Sequence, residues 1–156
     1  ALCAEPSLII ADEPTTALDV SVQAQIIALL KRLCRDRGTA VMLITHDMGV
    51  IAESADRVAV MYAGRLVELG PVRDVLTAPR HPYTHGLMAS TPLAARGRKR
   101  LHQIPGSMPR LTDLPEGCAF HPRCSYAQDK CHRAPSPDMI DGQAACWFPL
   151  VAEAAE

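Results

Sequence analysis

Hydrophobic and polar positions in residues 1–78 alternate between short apolar runs and segments with helical periodicity. Leu8–Ala11 and Ala40–Ile44 are nearly continuous apolar runs, which are typical of parallel strands covered on both faces. Between these runs, apolar residues recur at helical spacing and predict a helix that Gly38 ends. The apolar positions of that helix are Val22, Ile26, Leu29, Leu30 and Leu33.

The following segment predicts a short helix and a β-hairpin. Met48–Ala55 has helical character, while Arg57–Ala63 and Arg65–Leu69 predict two strands joined tightly at Ala63-Gly64. The order strand, helix, strand, helix and hairpin favours an α/β layer architecture. Residues 1–78 are therefore predicted to form an α/β domain with parallel strands and a hairpin.

The pattern changes beyond residue 78, where prolines become frequent and helical periodicity weakens. A short helix is predicted over Pro82–Ser90, followed by a polar, basic loop over Ala94–His102. Residues 79–150 are predicted to form a small, loop-rich, cysteine-containing extension, and residues 151–156 a frayed tail.

Composition narrows the possible functions. The chain has 156 residues, 48% of them apolar, and a formal net charge of −1. These values disfavour a disordered chain or a strongly basic nucleic-acid binder, so no nucleic-acid partner is expected. No apolar stretch reaches the length of a membrane-spanning helix, so a link to a membrane would come through a partner. Because Ala1 lies in a helix-like segment without an initiating Met, an upstream part is expected to be missing.

Two adjacent carboxylates, Asp12 and Glu13, end the first apolar run. Neighbouring carboxylates are costly unless a cation or a proton transfer uses them. At the carboxyl end of a parallel strand they would face the crevice where α/β sheets bind ligands. Asp12 could hold Mg²⁺ through water, and Glu13 could polarise a water that attacks phosphate. The alternative is a loop that simply turns at Pro14.

His46 ends the second apolar run, in a position parallel to that of Asp12. A single histidine at a strand end is usually structural. Two strands that bring Asp-Glu and Thr-His to one sheet edge favour a functional pairing. Asp19 precedes the predicted helix, where its alternative role is that of a negative charge at a helix N-terminus.

These motifs resemble those of ATP-binding-cassette (ABC) ATPases. Leu8–Asp19 resembles the Walker B segment and D-loop, and Ile44–Met48 resembles the switch-histidine loop. The resemblance implies the C-terminal part of a P-loop ATPase domain, with ATP and Mg²⁺ as cofactors. The implied roles are magnesium association for Asp12, catalysis for Glu13, γ-phosphate contact for His46 and a place at the dimer seam for Asp19.

Other parts of that family's machinery are absent from the chain. No G-x-x-x-x-G-K-[ST] phosphate loop, signature motif or glutamine loop occurs in its sequence. We therefore expect the chain alone neither to bind ATP tightly nor to hydrolyse it. In the family, two ATPase subunits sandwich two nucleotides, and the closed dimer drives the transporter. The implied partners are a second ATPase subunit and transmembrane permease subunits.

Four cysteines in the extension are separated by five, six and fourteen residues. Disulfides are disfavoured because the chain resembles an intracellular ATPase. Structural Zn²⁺ usually shows a tighter C-x₂₋₄-C pair, whereas wider spacing suits an iron–sulfur cluster. His121 and His132 could replace thiolates in a zinc site, so the spacing leaves the metal open. The four cysteines are Cys118, Cys124, Cys131 and Cys146.

The extension resembles that of oligopeptide and dipeptide importer ATPases. The resemblance rests on His81–Thr84, Gly117–Cys124 and Cys146-Trp147. It implies a peripheral subunit at the cytoplasmic membrane face that imports peptides or nickel complexes, with an external solute-binding protein. In some members four such cysteines ligate a [4Fe–4S] cluster. The alternatives are a non-transport ABC ATPase and a free-standing metal-binding or redox module.

Overall fold

The computed structural model describes residues 5–91, 102–139 and 143–151. Its contacts divide the chain into two compact units, residues 1–55 and 56–156. Nearly all of the predicted basic loop, up to residue 101, and the tail from residue 152 lie outside the described residues.

The first unit alternates strands and helices, as predicted. Strands β1 (Leu8–Asp12) and β2 (Ala40–Ile44) pair in parallel, with Asp12 opposite Ile44. Helix α1 (Val20–Arg37) connects them, and helix α2 (Met48–Ser54) follows β2. The carboxyl ends of both strands therefore lie at the same edge of this sheet.

The ends of α1 follow from local chemistry. Asp19 has extended backbone angles, and its side chain accepts a hydrogen bond from the amide of Val22, which makes it the N-cap. At the other end, Gly38 adopts a left-handed conformation with φ of +64° and donates its amide to Cys34. A glycine reaches this conformation without the steric cost that a Cβ imposes, so the predicted stop at Gly38 is confirmed.

One face of the β1–β2 sheet differs from the prediction of strands covered on both sides. Alternate side chains of the two strands are half-buried, and α1 contacts β2. The opposite apolar side chains are exposed because the described residues supply only two strands and no layer over that face. These side chains are Leu8, Ile10, Met42 and Ile44.

The second unit begins with the predicted hairpin. Strands β3 (Arg57–Tyr62) and β4 (Arg65–Pro71) pair antiparallel, with an irregularity between Val60 and Met61. Ala63 and Gly64 form the turn with φ values of +48° and +75°, as a two-residue hairpin with right-handed strand twist requires. The remaining elements are α3 (Val72–Thr77), α4 (Pro82–Ala89), a 3₁₀ turn (His121–Arg123) and α5 (Asp129–Arg133).

A segment near the end of the chain adds to the hairpin. The amide of Leu69 donates to Gln143 over 2.8 Å, and the amide of Ala145 donates to Val67 over 2.9 Å. These bonds group the hairpin with the residues of the extension. The predicted domains, residues 1–78 and 79–150, place their boundary after residue 78, whereas the compact units meet after residue 55. The predicted domain boundary stays a prediction.

Aromatic side chains form the centre of the second unit. The ring centroids of Tyr62 and Phe120 lie 5.1 Å apart, and those of Tyr83 and Phe120 lie 5.4 Å apart, in edge-to-face arrangements. Val60, Val67 and other buried apolar residues pack around them. This cluster joins the hairpin and α4 to the cysteine-containing segment. Among the helices that the structure describes, none has the length and apolar character needed to cross a membrane.

Candidate functional site

The backbone turns sharply where β1 ends. The amide of Glu13 donates to the carbonyl of Ile44 over 2.8 Å, one step beyond the strand pairing. Glu13 itself has a φ of +43°, a conformation that non-glycine residues seldom adopt and that often occurs at functional sites. The turn ends the strand and begins the loop that leads to α1.

Glu13 and His46 are in direct contact. Glu13 Oε1 lies 3.0 Å from His46 Nδ1, and the hydroxyl of Thr16 donates to Glu13 Oε2 over 2.8 Å. These two partners lower the pKa of Glu13, with the hydrogen bond from Thr16 as the larger cause. The side chains of His46 and Glu13 are 82% and 43% exposed, so water screens their attraction and the pair adds little stability.

Asp12 lies one residue before Glu13, at the end of β1, with an exposed side chain. In the parts of the chain that the structure describes, no group of three or more His, Cys, Asp or Glu side chains is arranged to hold a metal ion. Mg²⁺ is commonly held by one or two carboxylates together with phosphate oxygens and water. Asp12 thus adds one exposed carboxylate to this edge, beside that of Glu13, and carboxylates are a type of ligand that Mg²⁺ uses.

Asp19 lies at the start of α1. Its carboxylate accepts hydrogen bonds from the Ser21 hydroxyl over 2.6 Å and from the Val22 amide over 2.9 Å. These bonds lower the pKa of Asp19, with the Ser21 bond as the largest cause. The structure thus gives Asp19 the helix-terminal position that the sequence offered as its alternative role. The D-loop role at a dimer seam stays a prediction.

Two further residues support this edge; both lie in the sequence motifs quoted above, but the sequence assigned neither of them a role. Thr16 holds the Glu13 carboxylate, and Asp47 follows His46 and caps α2 through the amides of Gly49 and Val50. An acidic residue directly before a helix is the available signal for Asp47. For Thr16 no signal exists, because its bond depends on the left-handed turn at Glu13.

The four cysteines of the extension line one cavity, together with aromatic side chains such as Phe120 and Trp147. All four are free; Cys131 is buried and the others are half-buried. Burial raises the pKa of the Cys124 thiol and raises that of Cys146 to about 11. Neighbouring cysteines add to both shifts, which indicates that the four thiols lie within electrostatic reach of one another.

This arrangement does not fit a metal site. Among the described residues, which include all four cysteines, no set of three or more ligands converges on one position. The His121 and His132 rings are 4.4 Å apart, and Nδ1 of His121 lies 2.9 Å from the carbonyl of Cys118. A shared cavity is therefore present, but neither the predicted [4Fe–4S] cluster nor the Zn²⁺ alternative is supported by these side-chain positions.

Comparison with known proteins first shows which family the extension resembles. Residues 67–131 match the family described as "Oligopeptide/dipeptide transporter, C-terminal region". This match covers most of β4, all of α3 and α4, and the cysteine-containing segment as far as Cys131. The extension is thus similar to that of oligopeptide and dipeptide transporters, as the resemblance of its motifs implied.

Three relatives extend this result to nearly the whole chain. The dipeptide transport ATP-binding protein DppD of Escherichia coli K12 is 48% identical over 96% of this chain and 47% of its own length. A Brucella ovis protein named for peptide import and ATP binding is 54% identical over 88% of this chain and 42% of its own length. The oligopeptide transport ATP-binding protein AppD of Bacillus subtilis is 53% identical over 84% of this chain and 40% of its own length.

The chain therefore spans less than half the length of these relatives and is similar to the C-terminal part of peptide-import ATP-binding proteins. Among solved structures, an ATP-binding cassette dimer with ADP and phosphate has a TM-score of 0.43 and 33% identity, over 46% of this chain and 31% of its own. A Clostridium perfringens component of an ABC transporter complex has a TM-score of 0.45 and 32% identity, over 47% of this chain and 30% of its own.

Proposed function

We propose that this chain is part of the ATP-binding subunit of an ABC importer, which couples ATP hydrolysis to the uptake of peptides or similar solutes. The observation that carries the proposal is the contact between Glu13 and His46, 3.0 Å apart where two parallel strands end. The similarity to peptide-import ATP-binding proteins over most of the chain supports the same class.

The two residues have complementary tasks in this proposal. The lowered pKa of Glu13 keeps its carboxylate ionised at neutral pH, so it can accept a hydrogen bond from the attacking water. With protons on both ring nitrogens, His46 would donate from Nδ1 to Glu13 and from Nε2 to the γ-phosphate. Thr16 fixes the second carboxylate oxygen and so limits rotation of the Glu13 side chain.

Asp12 would associate with Mg²⁺ through water at the same strand end. When bound, Mg²⁺ supplies charge neutralisation on the phosphate oxygens. Asp19 would contact the second subunit at the D-loop, which its hydrogen bonds to Ser21 and Val22 hold at the start of α1. In this arrangement the carboxylates of β1 and the loop after it serve both the nucleotide and the dimer.

The whole importer would include a second ATPase subunit, transmembrane permease subunits and, indirectly, an external solute-binding protein. The subunit would be peripheral, at the cytoplasmic face of the membrane. Dipeptides, oligopeptides and nickel complexes are the candidate solutes. The match of residues 67–131 to the transporter extension favours import over a non-transport ABC ATPase.

The proposal is tested by completing the chain with the N-terminal part of the E. coli dipeptide transport ATP-binding protein. ATP hydrolysis by this chimera should fall about 100-fold or more in Glu13→Gln, since general-base catalysis contributes that much. It should also fall in His46→Ala, which loses the contact with the γ-phosphate. Binding of a fluorescent ATP analogue should persist. Glu53→Gln, an exposed substitution on α2, is the matched control and should leave turnover unchanged.

Two results would contradict the proposal. The first is full turnover by the Glu13→Gln chimera, since it would remove the carboxylate from the reaction. The second is ATP hydrolysis by the isolated chain, which would contradict the part of the proposal that the chain alone is inactive because its sequence has no phosphate loop.

The cysteine cluster forms a separate hypothesis. A [4Fe–4S] cluster or Zn²⁺ would require the thiols of Cys118, Cys124, Cys131 and Cys146 to converge further than they do in the structure. Iron, sulfide and zinc analysis of protein purified without oxygen tests this hypothesis. Four iron atoms per chain with a brown chromophore would support the cluster, and one zinc per chain would support the alternative. A metal-free protein would reject both.

A further inference from the structure

A second cavity lies beside the aromatic centre of the second unit. Its volume is about 340 Å³, at the lower end of the range of roughly 300–1,000 Å³ that small-molecule sites occupy. Most of its wall is apolar or aromatic, with Tyr62, Leu66, Phe120 and Met139 among the lining residues. It is distinct from the cavity of the four cysteines, because Cys118 is the only one of the four that it borders.

The imidazole of His81 is a buried donor in the wall of this cavity. His81 is 1% exposed, and its Nδ1 accepts a hydrogen bond from the amide of Tyr83 over 3.1 Å. Nδ1 therefore carries no proton. Burial lowers the pKa of the ring to about 4, so at neutral pH the ring is uncharged and its one proton is on Nε2.

This Nε2–H group has no acceptor among the described residues. The hydrogen bonds of His81 use Nδ1 and the backbone. A buried donor without an acceptor is unfavourable, and an acceptor atom of a ligand would satisfy it. Because the ring lines the cavity while Nδ1 faces the start of α4, the Nε2 edge is the one that a ligand in the cavity can reach.

Charged groups lie where the cavity opens to solvent. Arg65 and Asp138 both line the cavity, and both are exposed. Arg65 is the cross-strand partner of Tyr62, which places the two side chains on the same face of the hairpin. In the described part of the chain no ion pair joins Arg65 to Asp138, so the guanidinium is available to an anion.

We propose that this cavity binds a small organic carboxylate with an apolar body, whose carboxylate accepts a hydrogen bond from Nε2 of His81 while Arg65 offsets its charge. The apolar body would lie against Tyr62 and Phe120. Asp138 also borders the cavity, but it is exposed, so water and salt screen its repulsion. The inference depends neither on the proposed ATPase function nor on what the four cysteines hold.

Three probes with the same phenyl group separate the chemistry. Phenylpropionate carries a carboxylate, phenylpropanamide a neutral acceptor, and phenethylamine a cation without an acceptor. Isothermal titration calorimetry uses the full chain with any metal that it holds left in place, because Cys118 borders the cavity. We expect phenylpropionate to bind with a dissociation constant of about 1 mM or lower, the amide to bind several-fold more weakly, and the amine not to bind measurably.

Charge variants at the opening should change the affinity in opposite directions. Arg65→Gln should weaken binding of phenylpropionate about two- to fivefold, which is the effect of losing an exposed ion pair. Asp138→Asn should tighten binding, because it removes a repulsive charge. Arg57→Gln replaces an exposed arginine at the other end of the hairpin, so it is the matched control and should leave the affinity unchanged.

Two further variants locate the site. His81→Asn keeps an acceptor for the amide of Tyr83 but loses the Nε2 donor, so it should weaken binding about tenfold or more. Ala119→Leu adds bulk to the cavity wall and should abolish binding. Ala59→Leu, at an exposed position of β3, is its matched control and should bind as the wild type does.

No measurable binding of phenylpropionate, or binding of the amide or the amine as tight as that of the carboxylate, would overturn the proposal. Unchanged affinity in a folded His81→Asn or Ala119→Leu variant would do the same. Circular dichroism checks that each variant is folded. The probe series on the wild-type chain decides the question even where a variant fails to fold.

Discussion

Gln23 of α1 donates a hydrogen bond from its side-chain amide to Asp47, the N-cap of α2, over 3.0 Å. Asp47 directly follows His46, and Gln23 lies four residues after Asp19. One side-chain contact thus ties together the starts of two helices. Each of these helices begins beside a residue of the candidate site.

Removing this contact should weaken the first unit. We expect Gln23→Ala to lower the free energy of unfolding by about 1–2 kcal/mol, because a half-buried carboxylate loses a hydrogen-bond donor. Urea unfolding followed by circular dichroism measures the change. Gln25→Ala, an exposed substitution on the same helix, is the control and should change stability by less than about 0.5 kcal/mol.

The pH dependence of this effect has a defined sign. The Gln23 bond is the largest cause that lowers the pKa of Asp47 below its ordinary value of 3.8. A lowered carboxyl pKa stabilises the fold above the unfolded value and loses that effect as the pH falls through the folded value. The difference between wild type and Gln23→Ala should therefore shrink below pH 3.8. An undiminished difference in acid would contradict the role of the ionised Asp47.

The capping role of Asp19 can be separated from any role of its charge at a dimer seam. Asp19→Ala should lower the midpoint temperature of unfolding, because the amide of Val22 loses its acceptor. Asp19→Asn should retain most of the stability, since asparagine caps helices nearly as well. Thermal unfolding of the two variants gives the comparison. Equal losses in both would show that the carboxylate charge, and not the cap, stabilises α1.

Gly117 should tolerate alanine far less well than Gly64. Both glycines have a φ of +75°, but an added Cβ would lie 2.3 Å from a backbone oxygen at Gly117 and 3.7 Å from a leucine methyl at Gly64. Both substitutions incur the left-handed penalty of about 1–2 kcal/mol, and only Gly117→Ala adds a backbone clash. Fluorescence of Trp147, the single tryptophan, monitors unfolding of the second unit. Similar losses would indicate that the 117–131 contact yields easily.

His81 should make the second unit sensitive to mild acid. Burial lowers the pKa of its imidazole from 6.5 to about 4, and its backbone amide is held by the buried carboxylate of Glu68. Between these two pH values the unfolded chain binds a proton that the folded chain does not, so stability falls as the pH falls. The expected loss between pH 7 and 4 is about 3 kcal/mol.

A variant at this position isolates the contribution of the imidazole. His81→Asn keeps a side-chain acceptor for the amide of Tyr83 at the start of α4, but it cannot take up a proton. It should flatten the stability profile between pH 4 and 6.5. His85→Asn, at an exposed position of the same helix, should leave the profile unchanged. A steep profile in His81→Asn would assign the acid sensitivity to other groups.

Much of the fold could be predicted because its elements have strong local signals. Helix α1 shows apolar periodicity between a capping aspartate and a stop glycine, and the hairpin has its turn at Ala63-Gly64. Helices α3 and α5 were missed because each has only five or six residues and depends on tertiary contacts. The pairing of residues 143–145 with β4 joins distant segments, for which local periodicity carries no information.

The candidate site was likewise predictable in part, where a general rule applies, and not where a contact depends on local backbone geometry. The proximity of Glu13 and His46 followed from a general rule, since the carboxyl ends of parallel strands share one edge of the sheet. The hydroxyl of Thr16 reaches Glu13 only because the backbone adopts a left-handed turn there. The cysteine spacing suggested a metal site, which the side-chain positions do not support, because spacing alone does not determine whether four sulfurs converge on one point.

The uncovered side of the β1–β2 sheet has a practical consequence. Adjacent apolar side chains on this face are exposed to water, and such surfaces favour self-association. They belong to Leu8, Ile10, Met42 and Ile44. Solutions of the chain should therefore scatter light increasingly as they are concentrated, and mild detergent should suppress that turbidity.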